Sequence, residues 1–363
     1  MSIQTRTDPL DAADDLIDQT RTTGTEPGSD PQLEALALAV LANLPVLLWG
    51  EPGIGKSSAL AALSGALRVP LETVIASVHD PSDFAGLPMI GADSAENGVT
   101  MAPPDWAVRL ARRGDGLLFL DELSSAPPAV QAALLRVVLE RQVGSLPLPP
   151  RVRVVAAANP ASSAADGWQL SAPLANRFVH LQWTHQPATV ARGLSGVWPE
   201  IPVPLVDPDR VADAVATARA TVTEFLTVRP GLAHQMPKNT AQRGGAWPSP
   251  RTWEMAVRLL AVALAAGASR DARLAVLAGT VGDGVALELL AHADARDLPD
   301  PEDLLADPGT GTLPTRGDRQ LAVLSAVVAA VRRRPDRVRW NAGWAVLAWV
   351  ARAGAPDVAA SAA

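Results

Sequence analysis

Over the first half of the chain, short apolar runs alternate with stretches of helical spacing. The runs are Pro45–Trp49, Leu71–Val78, Gly116–Leu120, Arg151–Ala157 and Phe178–Trp183. Between them a 3.6-residue periodicity predicts helices at Lys56–Leu67, Asp105–Arg113 and Pro128–Glu140. An earlier helix runs from Gln32 to about Ala42, with Asp30 placed to cap it and Pro31 to open it. Strands that alternate with helices imply a parallel sheet joined by crossovers.

Two stretches break the alternation. Residues 84–104 read as a hairpin, Leu87–Gly91 against Val99–Ala102, with a polar turn at Asp93–Gly98. Residues 141–150 form a second extension before the fourth strand. Beyond Trp183 the pattern changes. Residues 188–208 are proline-rich and read as a linker. Helical spacing then returns at Asp209–Leu226, Arg251–Ala266, Asp271–Ala278, Val285–Asp294, Arg319–Arg332 and Asn341–Ala351. The expected organisation is an acidic flexible tail (1–30), an α/β domain (31–187), a linker (188–208) and an α-helical region (209–363).

Composition narrows the class. With 363 residues and 48% hydrophobic content, two or three domains can each bury a core. No apolar run reaches the ~18 residues of a membrane span. The N-terminal MSIQTRTDPLDAADD is acidic and does not read as a secretory signal. Cysteine is absent, which excludes disulfides and thiolate metal sites. A cytoplasmic protein is therefore expected. Of the net charge of −7, residues 1–30 hold seven acids against two arginines. The rest is near neutral, which argues against a general nucleic-acid surface. The run Arg332–Trp340 is the one concentrated basic stretch and reads as a solvated helix end.

The chemistry begins where the first strand ends. Gly50-Glu51-Pro52-Gly53-Ile54-Gly55-Lys56-Ser57 fits G-x-x-x-x-G-K-[ST] at every fixed position, with Ser58 following. Glycines let backbone N–H groups curl around a polyphosphate, Lys56 reaches its outer phosphates, and the Ser57 hydroxyl suits Mg²⁺. The loop opens a helix, whose N-terminus also attracts phosphate. Downstream, Leu117-Leu118-Phe119-Leu120-Asp121-Glu122 ends an apolar strand in two carboxylates. Asp121 would hold the magnesium and Glu122 would polarise the attacking water. The next strand ends at Asn159-Pro160, an amide placed to meet the γ-phosphate or the water.

Together these residues resemble an AAA+ ATPase and, within that superfamily, the MoxR group. The likeness rests on GEPGIGKS, LLFLDELSSAPPAVQAALLRVVLERQV, AAANP and Leu174-Ala175-Asn176-Arg177-Phe178. The hairpin insert is similar to that of the helix-2-insert clade, which includes magnesium-chelatase motor subunits. The resemblance covers residues 31 to about 270. It implies a three-layer αβα P-loop domain with a five-stranded parallel sheet, an all-α lid and a C-terminal helical region. It makes Asn159 a sensor 1, Arg177 an arginine finger for the neighbouring subunit's ATP, and Arg251 a sensor 2 contacting the γ-phosphate in cis. It further implies ATP and Mg²⁺, a ring homo-oligomer such as a hexamer, and chaperone-like remodelling of a client protein, such as one with a von Willebrand factor A domain. Two alternatives remain open: a metal-insertion motor like that of magnesium chelatase, and a slowly hydrolysing ATP-gated scaffold.

Overall fold

The computed structural model describes residues 30–362, apart from 92–97, 161–167, 197, 199, 205, 297–298, 311 and 316. The expected tail, except Asp30, and most of the expected polar turn at 93–98 lie outside the described residues. The chain divides into two compact units between Leu287 and Glu288.

The first unit opens with α1 (Pro31–Leu41). The Asp30 carboxylate accepts the Gln32 N–H at 2.9 Å, and Pro31 takes the first helical position, where no donor is needed. The same Asp-Pro start recurs at Asp207-Pro208 and Asp300-Pro301, with the aspartate accepting the second amide each time. Then follow β1 (Val46–Trp49), α2 (Lys56–Leu67), β2 (Leu71–Ile75), a 3₁₀ turn (Ala76–Val78), α3 (Ser82–Ala85), β3 (Leu87–Met89) and β4 (Thr100–Ala102). Next come α4 (Asp105–Arg113), β5 (Asp115–Asp121), α5 (Pro128–Glu140), β6 (Gln142–Val143), β7 (Leu146–Pro147) and β8 (Arg151–Ala158). The unit continues with α6 (Ala172–Ala175), β9 (Val179–Gln182), α7 (Pro187–Leu194), α8 (Pro208–Val228), α9 (Pro250–Ala265), α10 (Arg270–Val281) and the start of α11 (Asp283–Arg296).

Five strands form one sheet in the order β2-β5-β8-β1-β9, and every pairing is parallel. β1 therefore lies between the last two strands of the sheet to be made. That is the switch point at which α/β sheets place ligands beyond their strand ends. Leu117 to Leu120 of β5 and Val154 to Ala158 of β8 are all buried, as strands covered on both faces must be. α5 buries Val130, Leu134 and Val138 against that core.

Both interruptions of the alternation are antiparallel hairpins. β3 pairs with β4 from Leu87↔Ala102 to Met89↔Thr100, and β6 pairs with β7. They are tied together: the Gly144 N–H donates to Phe84 O at 3.2 Å and the Ser145 N–H to Met101 O at 2.8 Å. Gly86 and Gly144 make this approach possible, because a Cβ on Gly86 would stand 2.8 Å from the Gly144 Cα. Leu87, Met89, Ile90 and Val99 of the first hairpin stay exposed.

The structure differs from the sequence reading in three places. The second strand stops at Ile75 and its last three expected residues curl into the 3₁₀ turn. Residues 188–194 of the expected linker are helical, in a helix that Pro187 opens. Two short helices that the sequence reading did not include, α12 (Pro301–Ala306) and α15 (Pro356–Ala362), join α13 (Gly317–Arg333) and α14 (Arg337–Arg352) in the second unit. Leu304, Leu324, Val327, Val346 and Val350 form its separate core. Among the described residues, no helix is long and apolar enough to cross a membrane.

Candidate nucleotide site

Glycine chemistry shapes the loop after β1. Gly53 and Gly55 have φ of +80° and +89°, which side-chain-bearing residues rarely adopt. Gly50 is needed for space instead, since a Cβ there would meet Trp183 O at 2.5 Å and Ile54 Cδ1 at 2.6 Å. α2 starts at Lys56, so its free N–H groups and positive dipole end point into the loop.

Lys56 is 8% exposed, and its ammonium donates to Gly50 O at 2.6 Å, Glu51 O at 3.1 Å and Asn159 Oδ1 at 3.0 Å. Burial lowers its pKa from the ordinary lysine value, and the charge of Asp121 partly opposes this. The lysine thus already points toward the strand-tip amide. Asn159 is itself fixed by its N–H, which donates to Ser124 Oγ at 3.0 Å.

The carboxylates stand at the tip of β5. Asp121 accepts the Glu122 N–H on Oδ1 at 2.9 Å and faces the Ser57 hydroxyl on Oδ2 at 3.4 Å. Glu122 leaves the strand with φ +56°, an uncommon conformation for a residue with a side chain. That turn carries its carboxylate to the Ser77 hydroxyl, which donates to Oε2. Ser57 and Asp121 form an oxygen donor set of the hard type that Mg²⁺ takes, next to the phosphate cradle, so the residues present fit the ion.

Beside the loop lies a cavity of about 470 Å³ bounded by Leu33 of α1, Ile54, Gly55, Ser58, Trp183 and Ile201. Gln32 closes one side: its side-chain oxygen accepts the Thr184 N–H at 2.7 Å. A mostly apolar cleft continuous with a phosphate loop suits a nucleobase. Of these residues, Ile54 and Ser58 were legible through the motif. Leu33, Trp183 and Ile201 come from three distant segments and have no local signal. Ser77 and Ser124 were also missed, because serines near strand ends are common.

Two predicted residues lie elsewhere. Arg177 precedes β9, whose first N–H, from Val179, donates to Pro45 O at the start of β1. Arg177 is thus at the opposite end of the sheet from the phosphate loop. Roughly 16 Å of parallel strand separates Pro45 from Gly50. Arg251 is at that same end, with Nη1 donating to Asn176 Oδ1 at 3.1 Å. The structure thus places Arg251 at the sheet end remote from its own phosphate loop. The reason is that Ser249 and Thr252 form a capping box at the start of α9, and Ser249 Oγ also donates to Asn176 Oδ1 at 3.1 Å. That pins the helix start beside Arg177. Arg177, Arg251 and Arg258 line a cavity of about 190 Å³. Burial and the neighbouring Arg251 both lower the pKa of Arg177, and its Nε lacks a partner among the described residues. The two guanidiniums side by side concentrate positive charge at this end of the sheet.

His180 carries no free ring nitrogen. Nδ1 accepts the Trp49 indole N–H at 2.8 Å and Nε2 faces Ala175 O at 2.9 Å.

The strand order, phosphate loop, paired carboxylates and strand-tip amide define a P-loop nucleotide-binding domain of the AAA+ class. Residues 45–178 match the model of the AAA domain (dynein-related subfamily). Protein MoxR of Methylorubrum extorquens is 31% identical over 121 residues, 32% of this chain and 33% of that protein. The Psp operon transcriptional activator of Escherichia coli is 36% identical over 135 residues, 35% of this chain and 40% of that protein. A Cytophaga hutchinsonii crystal structure whose name proposes an ATPase aligns at TM-score 0.47 and 15% identity, over 78% of this chain and 94% of that one. The chain thus spans two-fifths or less of the curated relatives above. Residues 45–178 are thus an AAA domain, similar in sequence to both of these proteins.

Proposed function

We propose that this chain hydrolyses ATP at the interfaces of a ring oligomer, such as a hexamer, and uses the cycle to remodel a client protein. The observation that carries the reading is the placement of Arg177 and Arg251 together at the sheet end remote from their own phosphate loop. An arginine pair that is too far from its own nucleotide, and that wants an anion, serves the nucleotide of a neighbour.

In this mechanism the loop from Gly50 to Ser58 holds the triphosphate, and Lys56 exchanges its three oxygen acceptors for phosphate oxygens. The Glu122 carboxylate takes a proton from water as its oxygen bonds the γ-phosphorus, and the bond to the β-phosphate oxygen breaks to release ADP. Ser57 and Asp121 would hold Mg²⁺, which would supply charge neutralisation on the phosphates. Asn159 orients the water or the γ-phosphate, and Arg177 of the neighbour neutralises charge that builds in the transition state. Arg251 acts with it in trans. Loss of the γ-phosphate removes these contacts and lets the helical lid shift against the sheet. The exposed apolar side chains of the β3–β4 hairpin suit contact with a client, and the MoxR likeness favours one with a von Willebrand factor A domain. The working compartment in this reading is the cytoplasm.

The test mixes Lys56→Ala subunits, which keep the finger, with Arg177→Ala subunits, which keep the nucleotide. Turnover is expected to reappear in the mixture and to peak near equal amounts. Absence of turnover at every ratio, with both variants assembled, would overturn the trans arrangement.

A further inference from the structure

Within the first unit, a cavity of about 250 Å³ has no phosphate-loop residue in its wall. Trp49 and Gln182 reach it from the last residues of β1 and β9, Ala278 and Gly279 from the last turn of α10, and Gly282 and Asp283 from the junction of α10 with α11. Neither lysine nor arginine lines it. His180, also in the wall, stays neutral near pH 7, because burial pushes its pKa down to about 4. That imidazole locks the Trp49 indole, whose N–H donates to Nδ1 at 2.8 Å with the two ring planes 12° apart.

The wall attracts positive charge. Asp283 is exposed, so it stands at the opening, and its carboxylate makes no ion pair or side-chain hydrogen bond among the described residues. α10 ends here with no basic residue in its last turn. The carbonyls that a helix leaves free at its C-terminus, and the partial negative charge of that end, are therefore unanswered. Trp49 adds an indole, the ring whose face attracts a cation best. The first turn of α11 opposes them with about half a positive charge, which the full charge of Asp283 outweighs.

Size narrows the ligand. The cavity falls below the roughly 300–1,000 Å³ of ordinary small-molecule sites, so it suits one side chain or one short amine. Ala35, Ala246, Ala275 and Ala278 give it an apolar wall. Long basic side chains combine an apolar stem with a charged head in just this way. We propose that the cavity binds a guanidinium or ammonium group on a methylene stem, with the charged end against Asp283 and Trp49 and the stem along the alanines. An arginine or lysine of a protein segment and a free guanidino-amine share that chemistry. The site stands independently of the nucleotide cycle.

Calorimetry on the full chain tests it with three probes: acetyl-Ala-Arg-Ala-amide, agmatine, and the same tripeptide with norleucine in place of arginine. Binding of the arginine peptide is expected if the natural occupant is a protein segment, and binding of agmatine alone if it is a small amine. The norleucine peptide should not bind. Asp283→Asn keeps the shape at the start of α11 and should weaken the bound probe by about tenfold, or 1.4 kcal/mol. No binding of either basic probe up to about 10 mM would overturn the proposal, since that limit is weaker than about −3 kcal/mol. Equal binding of the norleucine peptide would overturn it by showing an apolar pocket alone. Affinity unchanged in Asp283→Asn would do so by placing the probe elsewhere on this acidic chain.

Discussion

Arg251 donates to Asn176 Oδ1 at 3.1 Å, which fixes the first turn of α9 to the residue next to Arg177. The pair divides the site residues into two groups at opposite ends of one sheet. Removing either arginine should therefore leave nucleotide binding by an isolated subunit within about twofold, measured by calorimetry. Turnover of the assembled protein is expected to fall about 10³-fold for Arg177→Ala, the lower range for such groups. Arg251→Ala should act in the same direction with a smaller loss. A tenfold loss of affinity in an isolated Arg251→Ala subunit would restore a cis role.

Lys56 is buried with three oxygen acceptors around its ammonium. Lys56→Ala removes the ammonium that, in the proposed function, meets the outer phosphates. Binding of ATP should become undetectable in the same calorimetric experiment, with the fold retained by circular dichroism. Affinity equal to wild type would refute the phosphate-loop assignment.

Glu122 is held by the Ser77 hydroxyl and by its own left-handed backbone. Glu122→Gln keeps the shape and removes the base. Turnover should drop by about 10²–10⁴-fold while ATP still binds. Wild-type turnover in Glu122→Gln would show that another group takes the proton.

Burial pushes the pKa of His180 down to about 4 from 6.5, against a smaller opposing effect of the Ala175 carbonyl. In the unfolded chain the imidazole takes a proton below about 6.5, whereas the folded one stays neutral until about 4. The unfolded state therefore binds more protons across that window, and stability falls as pH drops from 6.5 to 4. The full difference is about 3 kcal/mol, at ~1.4 kcal/mol per pKa unit. Urea midpoints at pH 7 and pH 4.5 should separate in wild type and move together by that share in His180→Leu. An unchanged pH slope in His180→Leu would rule the histidine out as its source.

Gly279 lets α10 lie directly on β9, because a Cβ there would stand 2.4 Å from His180 O. Backbone on both sides leaves nothing flexible to move. Gly279→Ala should cost about 1–3 kcal/mol in denaturant unfolding. A change below the error of the measurement would mean that the helix shifts freely.

The five sheet strands and their crossover helices were legible because each carries a local pattern: an apolar run, a cap or a 3.6-residue spacing. The helix at Pro187–Leu194 was not, because proline content suggested a linker while Pro187 sits where helices tolerate it. α12 and α15 are too short for periodicity to register.

The octapeptide Gly50–Ser57, the paired acids Asp121-Glu122 and the amide Asn159 were legible as motifs in the sequence alone. Each is a contiguous motif at a strand tip, where local chemistry sets the conformation. The tertiary structure decided what lies together across the chain. It joined Ser57 to Asp121, Lys56 to Asn159 and Glu122 to Ser77. It also set Arg251 beside Arg177, because helix packing and the buried Ser249–Asn176 contact, not sequence spacing, choose where a helix begins in space.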